Sequence, residues 1–297
     1  MKVRLLHTQG QGKFEETLWD KPNITADEIE VKAVMTGVCR SDIDMMNGEF
    51  GPLPLHMQGH EGLGVVTKVG ANITTVNVGD FVATRGEPAY ADYYNAKFRE
   101  FVPVPSLDPK YIIEPVACGI NVVMQPLAEI KKRSGPKKKL LILGSGFLAW
   151  VAYQTIINKF LEFDVTVVGN NNLDWWQDLI KQDYQGQYDV VIDLSSRLDV
   201  FQRDIVKPGA LVVFGAQKTV TTDFANLLWK AATIVFPSPR TDGFYDCMQL
   251  AVELINKGTI NVEHFWTKGY NRSDWSQAFA DGVARPQGYS RGYIQWD

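Results

Sequence analysis

An apolar run of eighteen residues, LLILGSGFLAWVAYQTII at 140–157, constrains the fold of this chain more than any other feature of the sequence. A transmembrane helix needs about 20 consecutive apolar residues. This run is interrupted early by Gly144 and Gly146, and it is bounded by Lys139 and Lys159. A buried strand that ends at the glycines, followed by a helix, explains the run better than a membrane span does. We therefore predict a strand, a turn and a helix here, and no membrane partner.

Strands and helices alternate through the region that follows. The predicted strands are apolar runs rich in β-branched residues, at 139–144, 164–169, 188–195, 210–216 and 232–237. A predicted helix follows each of the first two strands, at 147–160 and at 173–182. Strands separated in this way by helical segments are typical of a parallel, doubly wound sheet that is covered on both faces. The sequence thus predicts the α/β class.

The N-terminal third of the chain has a different pattern. Glycines punctuate short apolar runs at 28–37, 62–70 and 80–86, as expected for strands joined by turns. Helical spacing of apolar residues follows at 114–132 and again at 246–258 in the C-terminal tail. A length of 297 residues is more typical of two domains than of one.

The composition excludes several classes of function. Hydrophobic residues make up 45% of the chain and charged residues 22%, which is enough apolar material for a sizeable core. The net charge of −4 gives no electrostatic case for nucleic acid, and the basic stretch at 131–139 is interpreted as a solvated loop. The cysteines, Cys39, Cys118 and Cys247, are odd in number and far apart, which favours a reducing compartment. Since the N-terminus turns polar within ten residues and does not read as a signal peptide, we expect a cytoplasmic protein.

The turn GSGFLA at 144–149 follows a predicted strand and opens a predicted helix, which is the context that a dinucleotide fingerprint requires. Gly144 allows the tight turn, and Gly146 lets the backbone approach a pyrophosphate at the helix N-terminus. Ala149 replaces the third glycine of the fingerprint, where helix and strand pack closely. The predicted cofactor-binding residues of the turn are Gly144, Ser145, Gly146, Phe147 and Leu148.

The second predicted strand ends in VVGNNN at 167–172. An acidic residue at this end would bond the adenosine ribose and repel a 2′-phosphate. Gly169 stands there instead, followed by Asn170 and Asn171, and we expect all three to contact the cofactor. No carboxylate opposes the phosphate, so NADP(H) is favoured over NAD(H), and the substitution Gly169→Asp is predicted to shift the preference toward NAD(H).

Two scarce residue types stand in glycine-flanked turns. Cys39 lies in GVCRSDIDMMNG at 37–48, and His60 follows 21 residues later in GHEGLG with Glu61 beside it. Alone, Cys39 would be interpreted as a buried small side chain and His60 as a hydrogen-bonded core histidine. A catalytic zinc, however, takes three ligands from Cys, His and Asp or Glu and keeps the fourth position open. The combination therefore favours a catalytic zinc site.

In this order the motifs resemble those of the zinc-dependent medium-chain dehydrogenase/reductase family: the cysteine turn, GHE, VNVGDFVA at 76–83, EPVACG at 114–119 and then GSGFLA. The resemblance covers essentially the whole chain. It implies a GroES-like β-barrel catalytic domain, formed by 1–118 and 238–297, around a Rossmann dinucleotide-binding domain at 119–237.

The resemblance also implies a role for each residue of the cysteine turn. Asp42 is expected to hold the zinc-bound imidazole in one tautomer, and Ser41 to pass the substrate proton outward. Arg40 is expected to contact a cofactor phosphate. Asp44 stands where many relatives have a relay histidine, so the proton leaves either by Asp44 or straight to water.

The number of zinc ions and the third zinc ligand also follow from the resemblance. The third ligand is Glu61 or Glu114, because both uses occur in the polyol and sugar dehydrogenase branches of the family. Many relatives carry a lobe with four closely spaced cysteines that binds a structural zinc, whereas 82–105 contains no cysteine. We therefore expect one catalytic Zn²⁺ per chain. Because relatives use the lobe near subunit contacts, homodimer and homotetramer both stay open.

The activity implied by the resemblance is hydride transfer between a small alcohol or polyol, or the matching carbonyl compound, and NAD(P). Zinc would act as a Lewis acid on the alcohol. Two alternatives stay open at this point. One is a zinc-free enone or quinone reductase of the same superfamily, and the other is a non-catalytic protein that binds the cofactor.

Overall fold

The computed structural model of the chain describes residues 1–51, 58–159, 162–170, 173–195, 199–215 and 223–296. The chain forms two compact units, Met1–Pro115 with Met248–Asp297, and Val116–Cys247. In the part of the chain that the structure describes, no helix combines the length and the apolar character that crossing a membrane requires.

The secondary structure follows the predicted change from strands to alternating strands and helices. The strands are β1 (Lys2–Thr8), β2 (Phe14–Asp20), β3 (Glu28–Gly37), β4 (Gly62–Val69), β5 (Phe81–Thr84), β6 (Tyr93–Lys97), β7 (Phe101–Pro103), β8 (Lys139–Leu143), β9 (Asp164–Val168), β10 (Ile180–Lys181), β11 (Tyr188–Asp193), β12 (Val206–Phe214), β13 (Thr233–Val235), β14 (Trp266–Asn271) and β15 (Arg291–Gln295). The α-helices are α1 (Arg40–Met46), α2 (Glu114–Met124), α3 (Leu127–Lys132), α4 (Phe147–Asn158), α5 (Leu173–Trp176), α6 (Asp199–Gln202), α7 (Ala225–Trp229), α8 (Phe244–Asn256) and α9 (Trp275–Ala284).

The second unit contains a six-stranded sheet in the order β10-β9-β8-β11-β12-β13, and each of these pairs is parallel. Alternate residues of β8 enter two separate apolar clusters: Leu140 and Ile142 pack in one, and Leu141 and Leu143 in the other. Both faces of the sheet are therefore covered, as expected for a doubly wound parallel sheet. The predicted α/β class is confirmed, and the run 140–157 is a strand, a turn and the helix α4.

The single helix predicted over 173–182 is wrong beyond Trp176. Helix α5 ends there, a short 3₁₀ turn covers Gln177–Leu179, and the chain then enters strand β10. Gln177 has a φ of +48°, a left-handed conformation that interrupts an α-helix. Trp176 is fully buried, so packing in the core decides where this segment turns.

The first unit is built around strand β3. Its larger sheet has the order β14-β15-β3-β4-β5-β7, and β6 also pairs with β3. Strands β3 and β4 are antiparallel, with Thr36 opposite Gly62. The C-terminal strand β15 runs antiparallel to β3 on the other side, with Ile294 opposite Thr36. The last residues of the chain are thereby brought to the strand that leads to Cys39.

A buried ion pair stabilises the other end of β3. The ammonium group of Lys21 lies 2.8 Å from Glu30 Oε2, and the two side chains are 1% and 5% exposed. Lys68 donates to the same carboxylate at 3.0 Å, and Thr67 donates to its other oxygen at 2.9 Å. Burial alone would raise the pKa of Glu30, but these hydrogen bonds outweigh it and the pKa is lowered.

We predict that Glu30→Gln lowers the free energy of unfolding by about 3 kcal/mol, because it leaves the Lys21 ammonium group buried without a counter-charge. Urea unfolding at pH 7 measures this. The matched control is Glu253→Gln, which removes an exposed ion pair with Lys257 and should cost about 0.5 kcal/mol or less.

The stabilities of the wild type and of Glu30→Gln can also be compared as a function of pH. Since the pKa of Glu30 is lowered in the folded state, its contribution is present above the unfolded carboxyl pKa of about 4.3 and is lost as the pH falls through the folded value. The difference between wild type and Glu30→Gln should therefore shrink on acidification below about pH 4. A difference that stays constant down to acid unfolding would contradict the assignment.

Candidate active site

Cys39, His60 and Glu61 form a group whose potential ligand atoms all lie within 4.8 Å of one another. Cys39 is the N-cap of α1, two residues beyond the end of β3, and Glu61 immediately precedes β4. Because β3 and β4 pair in antiparallel fashion, the end of one lies beside the start of the other. The amide of Gly37 donates to the carbonyl of Glu61 at 2.9 Å and completes this pairing.

Asp42 lies behind the histidine of the group. Its side chain is fully buried, and its Oδ1 atom is 3.7 Å from His60 Nδ1. Its Oδ2 atom accepts hydrogen bonds from the Cys39 amide at 2.8 Å and from the Tyr90 hydroxyl at 2.7 Å. Among the described residues, Oδ1 has no hydrogen-bond partner. The carboxylate therefore faces the imidazole with one oxygen and is anchored by the other.

The other residues of the cysteine turn are arranged on α1. Ser41 Oγ lies 3.4 Å from His60 Nε2, the ring nitrogen that does not face Asp42. Arg40 Nε donates to Asp44 Oδ1 at 2.8 Å, one helical turn away. Asp44 is buried, whereas the Arg40 side chain is more than half exposed. Asp44, the predicted outer proton acceptor, is therefore paired with Arg40, which is predicted to contact a cofactor phosphate.

The sequence reasoning missed Arg291, the first residue of β15. Its Nη2 atom donates to both carboxylate oxygens of the fully buried Glu61, at 2.5 Å each. Burial alone would lower the pKa of Arg291, but the Glu61 carboxylate outweighs it and the pKa is raised. The guanidinium also lies 4.9 Å from the ring centroid of Trp266. Residues 61 and 291 are 230 positions apart, so no local sequence signal could have paired them.

Tyr90 is the second residue that sequence reasoning missed. It is fully buried and packs edge-on against the rings of Phe14 and Phe279, at 5.8 Å and 5.5 Å between centroids. Burial and the neighbouring Asp42 raise its pKa well above the usual value, so the hydroxyl stays protonated and donates. A tyrosine in an apolar segment resembles an ordinary core residue in the sequence, and only the fold shows its partner.

Glu114, the other predicted third ligand, is the first residue of α2 and is also buried. Its charge helps raise the pKa of His60, although burial acts in the opposite direction and Asp42 contributes more. Among the described residues, however, the close group of potential ligand atoms comprises Cys39, His60 and Glu61.

A thiol, an imidazole and a carboxylate are ligands that zinc prefers. Burial and Glu61 raise the pKa of the Cys39 thiol, so zinc would have to displace its proton. The imidazole is also backed by the buried Asp42, as metal-bound histidines usually are. The residues present therefore fit a zinc ion.

In the second unit, the glycine-rich turn lies between β8 and α4. Gly144 has a φ of +112°, which L-residues with a side chain rarely adopt, and its amide donates to the carbonyl of Val168 at 2.8 Å. Gly146 is the N-cap of α4, and a Cβ built there meets no described atom within 4 Å beyond its own chain neighbours and helix. The backbone is therefore open to a ligand at this point, as the fingerprint requires.

The remaining predicted cofactor residues differ in exposure. Ser145 and Phe147 are buried, Leu148 is half-buried and Asn170 is exposed. Gly169 directly follows β9 and lies against Ser145. Asn171 lies outside the described residues.

Known proteins share both parts of this architecture. Residues 25–106 match the family model of the alcohol dehydrogenase GroES-like domain. The D-arabitol-phosphate dehydrogenase of Enterococcus avium is 26% identical and D-arabinitol dehydrogenase 1 of Uromyces fabae is 23% identical, with 87% and 90% of both chains covered. The structure of the short chain alcohol dehydrogenase RspB of Escherichia coli CFT073, complexed with NADH, is similar over 99% of both chains with a TM-score of 0.82 and 15% identity.

Over most of its length, the chain is thus similar to oxidoreductases of the alcohol and polyol dehydrogenase type. The chain resembles the medium-chain dehydrogenases/reductases in having a GroES-like domain match at 25–106 and a Rossmann-like parallel sheet.

Proposed function

We propose that this protein is a zinc-dependent dehydrogenase that transfers a hydride between a small alcohol or polyol, or the matching carbonyl compound, and NADP(H). The observation that carries the proposal is the close group of Cys39, His60 and Glu61 with Asp42 buried behind the imidazole. A thiol–imidazole–carboxylate group with a carboxylate behind the imidazole is typical of catalytic zinc sites.

Cys39 and His60 would hold the zinc ion, together with Glu61 or Glu114. When bound, zinc supplies Lewis-acid chemistry that lowers the pKa of an alcohol hydroxyl group. Asp42 fixes the orientation of the His60 ring, and Tyr90 and the Cys39 amide in turn fix Asp42. The close contact between Glu61 and Arg291 neutralises the buried Glu61 carboxylate, so that its charge does not have to be balanced by the metal alone.

Ser41 is the residue that we assign to proton transfer. Its hydroxyl lies 3.4 Å from His60 Nε2, at the edge of the ligand group, where a substrate hydroxyl would be bound. Its oxygen would accept the substrate proton while its own hydroxyl proton passes outward to the next acceptor. The route beyond Ser41 meets the Arg40–Asp44 ion pair, whose guanidinium competes for the Asp44 carboxylate. A direct transfer from Ser41 to water is therefore favoured over a relay through Asp44.

The turn Gly144–Ser145–Gly146 and the N-terminus of α4, with Phe147 and Leu148, would bind the pyrophosphate of the cofactor. When bound there, the cofactor would supply the hydride-transfer chemistry of its nicotinamide ring. Gly169 and Asn170 would lie at the adenosine ribose, and neither presents a carboxylate to a 2′-phosphate. We also propose that 1–118 with 238–297 form the catalytic domain and 119–237 the dinucleotide-binding domain, a division supported by the position of the GroES-like match.

The zinc proposal predicts one zinc ion per chain. Cys39→Ser and His60→Ala should each lose most of it, because either change removes a ligand. Elemental analysis of the purified proteins measures the zinc content, and Cys247→Ser, a buried cysteine outside the ligand group, serves as the control that keeps it. Two zinc ions per chain, or unchanged content in both ligand variants, would refute the assignment and favour a zinc-free reductase.

The third ligand can be tested in the same way. We expect Glu61→Gln to weaken zinc binding more than Glu114→Gln does, because only Glu61 belongs to the close group among the described residues. Competition with a chelator at constant pH gives the two affinities. A larger loss in Glu114→Gln would assign the third ligand to α2.

Ser41→Ala should lower turnover at least about tenfold, since general acid–base assistance is typically worth about 10²- to 10⁴-fold. Zinc content and NADPH affinity should stay unchanged. Asp44→Asn is the matched comparison and should have a smaller effect. Turnover per bound zinc is the measurement. An unchanged value in Ser41→Ala would show that the hydroxyl only supports the turn.

A further inference from the structure

Gly169 is a glycine because Ser145 already fills the space of its side chain. A Cβ built on Gly169 would lie 2.4 Å from Ser145 Oγ, 2.5 Å from Ser145 Cβ and 2.8 Å from the Ser145 amide nitrogen. Real Cβ atoms essentially never come this close to a neighbour. The φ of Gly169 lies outside the left-handed region, so the backbone conformation does not require glycine here. The constraint is steric and comes from a single neighbouring residue.

Ser145 is held firmly in this position. Its carbonyl accepts a hydrogen bond from Trp176 Nε1 at 3.1 Å, and its side chain is buried. Trp176 is itself fully buried and packs edge-on against Trp150 and Tyr153 of α4, at 5.0 Å and 5.4 Å between ring centroids. On the other side of the turn, the Gly144 amide bonds to the last residue of β9. The turn is thus held on both sides and resists the large displacement that the Ser145 side chain would require if residue 169 had a side chain.

We propose that Ser145 is a specificity-determining residue for the cofactor. Its side chain excludes any side chain at position 169, and with it the carboxylate that would repel the 2′-phosphate of NADP(H). Trp176 is a positioning residue, because it acts on position 169 only through Ser145. This inference rests on the proposed function, since it concerns the cofactor that the glycine-rich turn would bind.

The proposal changes the expected result of Gly169→Asp. The sequence predicts a simple shift toward NAD(H), whereas the structure predicts that the new side chain collides with the turn. The substitution should then damage the turn and weaken both cofactors together. A preference for NAD(H) should appear only when Ser145 is also replaced by glycine, which removes the two closest atoms and leaves the backbone nitrogen of residue 145, at 2.8 Å, as the one close contact that must still give way.

The experiment titrates NADPH and NADH separately into each protein, follows the fluorescence of the reduced nicotinamide, and records a melting temperature for each protein. The wild type should bind NADPH more tightly. Gly169→Ala adds only a methyl group and should lower the melting temperature and weaken both cofactors at least tenfold, because the turn is displaced. Ser145→Gly should keep the NADPH preference.

The double variant Ser145→Gly with Gly169→Asp should recover most of the lost melting temperature and bind NADH at least tenfold more tightly than NADPH. Asn170→Asp is the matched charge control. It introduces a carboxylate at the next, exposed position, so it should weaken NADPH alone and leave the melting temperature unchanged.

Several outcomes would overturn the proposal. One is a Gly169→Ala protein with the wild-type melting temperature and affinities; another is a single Gly169→Asp protein that prefers NADH as strongly as the double variant. Strictly additive effects of Ser145→Gly and Gly169→Asp on the melting temperature and the cofactor affinities would also contradict the proposal, since residues in contact should show coupling. A wild type that binds neither cofactor would instead refute the proposed function, and one that prefers NADH would overturn this inference while leaving the dehydrogenase proposal intact.

Discussion

The pairing of strand β3 on both of its edges is the constraint on which the rest of the first unit depends. On one edge β4 places His60 and Glu61 beside Cys39, and on the other β15 delivers Arg291 to Glu61. Thr36 marks the point where both pairings meet, and its hydroxyl accepts a hydrogen bond from the indole of Trp296. A strand register shifted by one residue would turn every side chain of the shifted strand to the opposite face. The close group would then not form.

The site also collects several buried ionisable groups. Cys39, Asp42, His60, Glu61 and Arg291 are ionisable residues collected in a small volume, where an unpaired charge costs several kcal/mol. Glu61 and Arg291 balance each other's charge, and the Asp42 carboxylate accepts hydrogen bonds from Tyr90 and the Cys39 amide. Burial raises the pKa of Asp42, and the hydrogen bonds and the facing His60 oppose that effect. Perturbed pKa values cluster at functional sites, and structural ion-pair networks such as that of Glu30 show them as well.

The second unit shows three glycines that serve three different physical purposes. Gly144 provides a positive φ, Gly146 leaves space on the side where a ligand would approach, and Gly169 makes room for Ser145. The first two follow from the fingerprint and could be predicted. The third could not, because its reason is a contact between residues 24 positions apart that depends on the buried Trp176. In the sequence, Gly169 indicates only that the acidic residue of the fingerprint is absent. In the structure, packing against Ser145 requires a glycine at this position.

Local sequence patterns were enough to predict the α/β class, the doubly wound sheet, the glycine-rich turn and the nearness of Cys39 to His60. Each depends on a local pattern: apolar periodicity, glycine punctuation or motif spacing. Three further contacts depend on long-range packing: Arg291 neutralises Glu61, Tyr90 anchors Asp42, and Ser145 excludes a side chain at Gly169. Packing of the fully buried Trp176 also ends helix α5, so that Gln177–Leu179 form a 3₁₀ turn and Ile180–Lys181 form strand β10. The physical reason is the same in each case: these are contacts between residues far apart in the chain, fixed by burial and charge balance, which carry no signature in the local sequence.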